Sequence, residues 1–333
     1  MLRLDIDSAL HAAGMDVVDL LRAFFLLAAA TTFSVSIPSS LRDRFLVYGP
    51  RATSKASGSR LAAGNFSGLL DYLATWQVPH SYFTQFYIAS VLSSVFWGLQ
   101  LFFRGRVFQA IASRVSEEHQ LESMSLNQIM ICWLLLAMQG SRRLWECVIF
   151  AKPSTSKMWF VHWALGLGFY LAAGVAIWIE GSGKDTLYMT GVPLLTSRPA
   201  GTILTQPLTI DHVKITTAPS VRTFLCVPLF LVASGMQHDC HHFLFSLKKY
   251  SLPDHPIFRG IVCPHYGAEC IIYMSLAVLA APPGQWVNKT MLSCLAFVAV
   301  NLGLTARTTK QWYMQKFDKE AVQRRWLMIP YVY

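Results

Sequence analysis

The segment Cys263-Pro264-His265-Tyr266-Gly267-Ala268-Glu269 puts an imidazole, a phenol and a carboxylate at the start of an apolar run. A short basic loop earlier, a second polar knot, Gln237-His238-Asp239-Cys240-His241-His242, closes another apolar run. Charged and imidazole groups at membrane depth are costly, so by default they mark a functional site. His238, His241 and His242 form an H-x-x-H-H box, and His238 and His242 share a helix face at i, i+4. Membrane di-iron hydroxylases use such boxes, but they need several of them. Here His11, His80, His119, His162 and His212 lie in unrelated segments without boxes. A zinc site from Cys240, Cys263 and the histidines is the other metal arrangement. Imidazoles that hydrogen-bond phosphate or one another at the membrane boundary fit this residue set better, and no metal is expected.

Helices must position these knots. The chain has 333 residues, 53% hydrophobic and only 14% charged, with mean hydropathy +0.39, too apolar for an ordinary soluble domain. Apolar runs near the length needed to cross a bilayer lie at about 15–37, 82–103, 126–149, 158–179, 221–237, 268–281 and 286–306. The sixth is short and ends at Pro282-Pro283. The expected fold is an all-α integral membrane protein of about seven transmembrane helices, one membrane domain over 1–333. Asp16, Asp19 and Arg22 open the first run, which reads as a retained span rather than a signal peptide.

Lys and Arg gather after the first, third and fifth runs and in the tail, whereas Arg104, Arg106 and Arg114 after the second are balanced by Glu117, Glu118 and Glu122. By the positive-inside rule the amino terminus faces the lumen and the carboxyl terminus the cytosol. The net charge of +10 sits on that basic face, without the basic–aromatic interleaving of nucleic-acid binding, so the expected partners are membrane lipid and an anionic cofactor. No nucleic acid and no obligate protein partner are expected. The seven cysteines show no C-x-x-C pair and read as packing residues. Gly181-Ser182-Gly183-Lys184-Asp185 lacks phosphate-loop spacing and reads as a turn. The loops 38–80 and 182–219 are long enough to hold short interfacial helices or flaps.

The loop after the first knot looks built to hold a diphosphate: Lys248 and Lys249 end one run, Pro253 and Pro256 stiffen the turn, and Arg259 precedes Cys263. Arg307, Lys310 and Tyr313 share one side of the last helix, and the apolar end of the tail should dock on the membrane body.

Three blocks in the carboxyl-terminal third resemble the steroid 5α-reductase family: Gly235-Met236-Gln237 to Leu247-Lys248-Lys249; Phe258 to Cys263-Pro264-His265-Tyr266 and Glu269; and Leu302-Gly303-Leu304 to Trp312-Tyr313, Phe317 and Ile329-Pro330-Tyr331. The Cys-Pro-His-Tyr form resembles the polyprenol reductase branch most. Two earlier stretches agree, 78–87 and Ser141-Arg142-Arg143-Leu144-Trp145-Glu146-Cys147. The resemblance implies an NADPH-dependent, multi-pass oxidoreductase of the endoplasmic reticulum membrane acting on CH–CH bonds. Helices of 70–150 would lie on the substrate side and 220–333 would bind NADPH. By position, cofactor contacts fall on Arg142, Gln237, His241, Lys248, His265, Glu269, Thr305 and Tyr313. Thr305 stands where the steroid branch has Arg, and Arg307 or Lys310 would take over that charge. The steroid enzymes' acid–tyrosine pair aligns with Gln77 and Gln139, neither a strong acid, so His80 and Tyr82 become candidate proton donors.

The chemistry of hydride addition narrows the implied substrate, a long-chain polyprenoid. Hydride adds to the β-carbon of an alkene conjugated to a carbonyl, because oxygen takes the charge; an allylic alcohol offers no such sink. The expected reaction is therefore reduction of the α-isoprene double bond of polyprenal to dolichal, on the path from polyprenol to the dolichol of protein N-glycosylation. A 3-oxo-4-ene steroid is the alternative substrate, and di-iron lipid hydroxylation the alternative chemistry.

Overall fold

The structure, a computed structural model, describes residues 14–46, 65–103, 105–121, 124–152, 154–181, 219–248 and 251–333. Lys249 and most of the Gly181–Asp185 turn lie outside the described residues, as does 182–218 of the second long loop. Seven helices of 16 residues or more are described: α1 (Val17–Ser36), α2 (Thr84–Phe103), α3 (Leu126–Ile149), α4 (Phe160–Ile179), α5 (Val221–Ser246), α6 (Pro264–Leu279) and α7 (Lys289–Lys316). They match the seven apolar runs in order. The first long loop contributes the short helices Ser39–Phe45 and Asn65–Ala74.

Local chemistry sets several helix starts. Asp16 caps α1 in a reciprocal box with Asp19, and Ser125 caps α3 with Gln128. Ser220 caps α5, while Asn288 caps α7 through Met291 N–H and is fully buried. Pro264 begins α6, where its missing N–H costs nothing.

Among the described residues, four helices are long and apolar enough to cross a membrane: α1, α2 with the preceding turn from His80, α4 and α7. The other three, α3, α5 and α6, carry the polar residues singled out above. α5 packs most extensively on α6 and α1 on α7, while α2 lies against both α3 and α4. Close approach is bought by small residues, as expected where lipid gives helices no hydrophobic drive to associate. A Cβ on Gly174 of α4 would lie 2.1 Å from Ser93 Oγ of α2.

The ends of the bundle differ. Where α1, α3, α5 and α7 begin, Arg22 pairs with Glu180 at 2.9 Å, and Glu180 accepts Thr290 N–H at 3.0 Å. Beside them Asp16 meets His119 at 2.7 Å and accepts Ser116 N–H at 2.8 Å. Burial alone would raise the Asp16 pKa, but the bonds from Ser116, His119 and Asp19 bring it down to about 2. Asp16, Asp19 and His119 present ligand atoms within 4.8 Å of one another, and the capping and ion-pair bonds account for that cluster. At the opposite end, β1 (Gln77–Pro79) pairs antiparallel with β2 (Lys157–Trp159), Val78 opposite Met158, and joins the entries to α2 and α4. The tail folds back there too. Trp326 N–H donates to Gly260 O and Cys263 N–H to Leu327 O, both within 2.9 Å, and a Cβ on Gly267 would stand 2.6 Å from Met328 O. Glycine at 267 is what lets the tail lie on α6.

Candidate active site

The middle and far end of α3 present Gln139, Arg142, Arg143 and Glu146 on one face, because i, i+3 and i, i+4 neighbours share a helix side. Glu146 is 1% exposed and is bonded by four groups. Arg142 and Arg143 each donate to one of its oxygens, and His238 and His241 Nδ1 of α5 lie 2.8 Å away. A buried carboxylate is tolerated when it is matched this fully. The H-x-x-H-H box thus divides: two imidazoles engage Glu146, while the His242 ring lies 5.8 Å from that of Phe150.

From this cluster a chain of amides runs to α6. Arg142 donates to Ser234 Oγ at 3.0 Å, to Gln139 Oε1 at 2.9 Å and to Gln237 Oε1. Gln139 Nε2 donates to Gln237 Oε1 at 2.8 Å, and both amides donate to Glu269 Oε2. The two knots read from the sequence therefore meet directly, Gln237 on Glu269. His265, one turn before Glu269, is buried, and its Nδ1 is among the buried polar atoms without a partner. Its ring stands 5.3 Å from His241 and 4.2 Å from Tyr266.

Gln237, His241, Tyr266 and Glu269 form one wall of an open cavity. The facing wall is aromatic: Phe83, Phe86 and Tyr87 from the entry to α2, Phe169 and Tyr170 from α4, and Phe297 from α7. Arg143 joins the two walls, because its Nε and Nη2 donate to Tyr87 Oη at 3.1 and 2.8 Å. His162, Asn301 and Thr305 line this cavity and also a smaller neighbouring cleft that holds Arg42 and Arg307.

Of the cofactor-contact candidates, Arg142, Gln237, His241, His265 and Glu269 come together, and Thr305 lines the cavity from α7. Lys248 is exposed just beyond α5. Lys310 donates to Arg325 O at 2.6 Å and so holds the tail, and the Tyr313 ring lies tilted against that of Trp312 at 5.3 Å. In the loop read as a diphosphate clamp, Arg259 donates to Asp254 at 2.6 Å, which holds that carboxyl below its usual range. Of the proton-donor candidates, Gln139 is inside the amide chain. Gln77 is exposed and donates to Ala74 O, the His80 ring is parallel to Phe83 at 5.8 Å, and Tyr82 is 38% exposed. Sequence reasoning passed over Tyr87, Tyr170 and the pairing role of Glu146. The i, i+3 and i, i+4 spacing of Arg142, Arg143 and Glu146 was the available signal for the last.

Residues 201–333 match the family described as 3-oxo-5-alpha-steroid 4-dehydrogenase. More particularly, the chain is similar over most of its length to proteins named polyprenal reductase. It is 25% identical to polyprenal reductase 1 of Oryza sativa subsp. indica, over 84% of this chain and 86% of that protein. It is 26% identical to polyprenal reductase of Saccharomyces cerevisiae over 90% of each chain. With polyprenal reductase of Homo sapiens it shares 25% identity over 78% of this chain and 79% of the human protein.

Proposed function

We propose that this protein is an NADPH-dependent polyprenal reductase of the endoplasmic reticulum membrane. It saturates the α-isoprene double bond to give dolichal, on the route to the dolichol used in N-glycosylation. The observation that carries the reading is one cavity with two chemically opposed walls. A buried amide–carboxylate–imidazole wall lies on the elements that match the reductase family, and an aromatic wall faces it. In this reading all seven long helices cross the bilayer, with the carboxyl-terminal end in the cytosol.

The polar wall suits a nicotinamide cofactor. The unpartnered Nδ1 of His265 can bond a hydroxyl or amide group, and Glu269 is held by amides on one oxygen only, leaving the other to accept from a carboxamide. Gln237, His241, His265, Glu269 and Thr305 would hold the cofactor, with Arg142 fixing the amides. Lys248 and Arg307 are exposed cations available to its phosphates. When bound, NADPH supplies a hydride. The residues of this chain bind and orient it. The isoprenoid tail stays among lipid and aromatic side chains, and only the aldehyde head enters between the helices. The deciding assay offers polyprenal, polyprenol and a 3-oxo-4-ene steroid side by side to detergent-purified protein and follows NADPH oxidation. Polyprenal should be consumed fastest. Direct reduction of polyprenol with polyprenal untouched defeats the reading.

A further inference from the structure

Gln77 donates to Ala74 O and the His80 and Tyr82 rings lie against Phe83 and Trp163, whereas the lining of the cavity offers other hydroxyls to the aldehyde oxygen. Two tyrosines line the cavity together with Glu269. Tyr87 is 6% exposed, and its ring lies 5.3 Å from that of Tyr170. Both N–H donors of Arg143 end on Tyr87 Oη, and the guanidinium carbon lies 4.6 Å from the ring centroid. A phenol has two lone pairs and one proton, so an oxygen that accepts twice is left with only a proton to give. Arg143 is held at its other terminus, which donates to Glu146. The outcome is a Tyr87 hydroxyl oriented by the guanidinium, with Tyr170 beside it in the lining of the same cavity.

We infer that Tyr87 and Tyr170, with Tyr87 oriented by Arg143, form the hydroxyl pair that receives the charge developing on the aldehyde oxygen. The inference rests on the enal-reductase reading and assigns it a catalytic group. As a C–H bond forms at the β-carbon, the alkene electron pair moves to join the α-carbon to the carbonyl carbon. The carbonyl pair passes to oxygen, which takes a proton from the hydroxyl pair to give the enol, while Arg143 stabilises the tyrosinate. The enol proton then returns to the tyrosinate as the α-carbon takes one from water. The net consumption is one hydride and one proton, and the product is the saturated aldehyde. Tyr87 and Tyr170 touch substrate in this scheme; Arg143 is a positioning residue.

The test uses full-length protein in detergent with Tyr87→Phe, Tyr170→Phe and the double variant, all of which keep the rings that pack the cavity. One arm records the infrared carbonyl stretch of polyprenal bound to cofactor-free protein. The wild-type band should lie below that of the aldehyde in detergent alone, and each variant should return it toward the free value. The second arm measures turnover. Loss of one such donor lowers kcat by about 10²–10³-fold. NADPH affinity, read as tryptophan quenching, should stay at the wild-type value. The double variant should fall no further than the worse single one, because the hydroxyls act as a unit. An unshifted wild-type band, or variants that turn over at the wild-type rate, overturns the inference while the reductase reading stands. Wild-type protein that leaves polyprenal unreduced overturns both.

Discussion

The two walls of the cavity solve opposite problems. On α3, α5 and α6 the side chains are charged or amide-bearing, and the wall closes on itself: Glu146 has two guanidinium and two imidazole partners, and Gln139 and Gln237 share Glu269. On α2 and the turn before it, on α4 and on α7 the wall is mostly rings, with Phe83 edge-on to Phe86 at 5.3 Å and Phe169 tilted against Phe297 at the same distance. A polar wall away from water has to spend nearly all its hydrogen bonds internally, so its few unspent ones can be specific. A wall of rings, its two tyrosine hydroxyls aside, is selective by shape. The polar side is thus suited to a cofactor with fixed polar groups, and the aromatic side to a long hydrocarbon whose length need not be measured.

The strongest way to break this contrast is Glu146→Ala, which leaves Arg142 and Arg143 without their shared counter-charge. Breaking a buried pair this way costs about 3–5 kcal/mol. The thermal midpoint in detergent should fall sharply or folded protein should fail to accumulate. A variant that melts with the wild type would show that the polar wall is not self-closed. Next come His265→Ala and Glu269→Ala. One hydrogen bond to a charged group contributes about 1.5–3 kcal/mol, roughly 10–100-fold in affinity. The KM for NADPH should rise on that scale in both variants while the KM for polyprenal moves little, a split read from two substrate titrations. Phe169→Leu probes the other wall. A shape change of this kind is worth about 1 kcal/mol, so polyprenal KM should rise a few-fold with NADPH quenching unchanged.

The smallest effect belongs to the far end of the bundle and serves as the control. Asp16 has its pKa depressed to about 2, so its contribution to stability is complete above the usual carboxylate range and is lost as pH falls toward 2. Between pH 4 and 2 the thermal midpoint should drop less in Asp16→Asn than in wild type. At neutral pH the variant should keep full reductase activity, since Asp16 stands apart from the cavity. Equal acid sensitivity in the two proteins would remove Asp16 as a source of that loss.

The helices were legible because each apolar run is long and bounded by charge or proline. α3 begins and ends where the run 126–149 does. Two helices outrun their apolar segments: α5 continues from Gln237 to Ser246 and α7 from Ala306 to Lys316. Hydropathy stops at the first cluster of polar residues, whereas a helix continues wherever neighbours satisfy them, as Glu146 does for His238 and His241. The meeting of Gln237 with Glu269 was legible for a related reason, since a short loop joins their helices. Tyr87 and Tyr170 were not. Nothing local distinguishes them from other tyrosines on apolar helices, and their pairing with each other and with Arg143 arises only when α2, α3 and α4 pack. The clamp read from Lys248 and Arg259 illustrates the converse limit: charge density near a turn is visible in sequence, but Arg259 is taken by Asp254, five residues away.

The matching of Glu146 by groups on α5 also bears on how the protein enters its membrane. The partners His238 and His241 follow it in the chain by 92 and 95 residues. In the seven-span reading, α3 reaches the bilayer during synthesis long before its imidazole partners exist. In that interval its two arginines have Glu146 as their counter-charge, with Gln139 and Tyr87 of α2 as neutral partners, and each charge held at the helix centre costs about 2.5–3.5 kcal/mol. The favoured position for a newborn α3 is then shallow, with its polar end at the interface, and it settles only as α5 arrives. Assembly of the polar wall becomes a late event in biogenesis, and a chain halted before α5 offers the quality-control machinery an unsettled third helix.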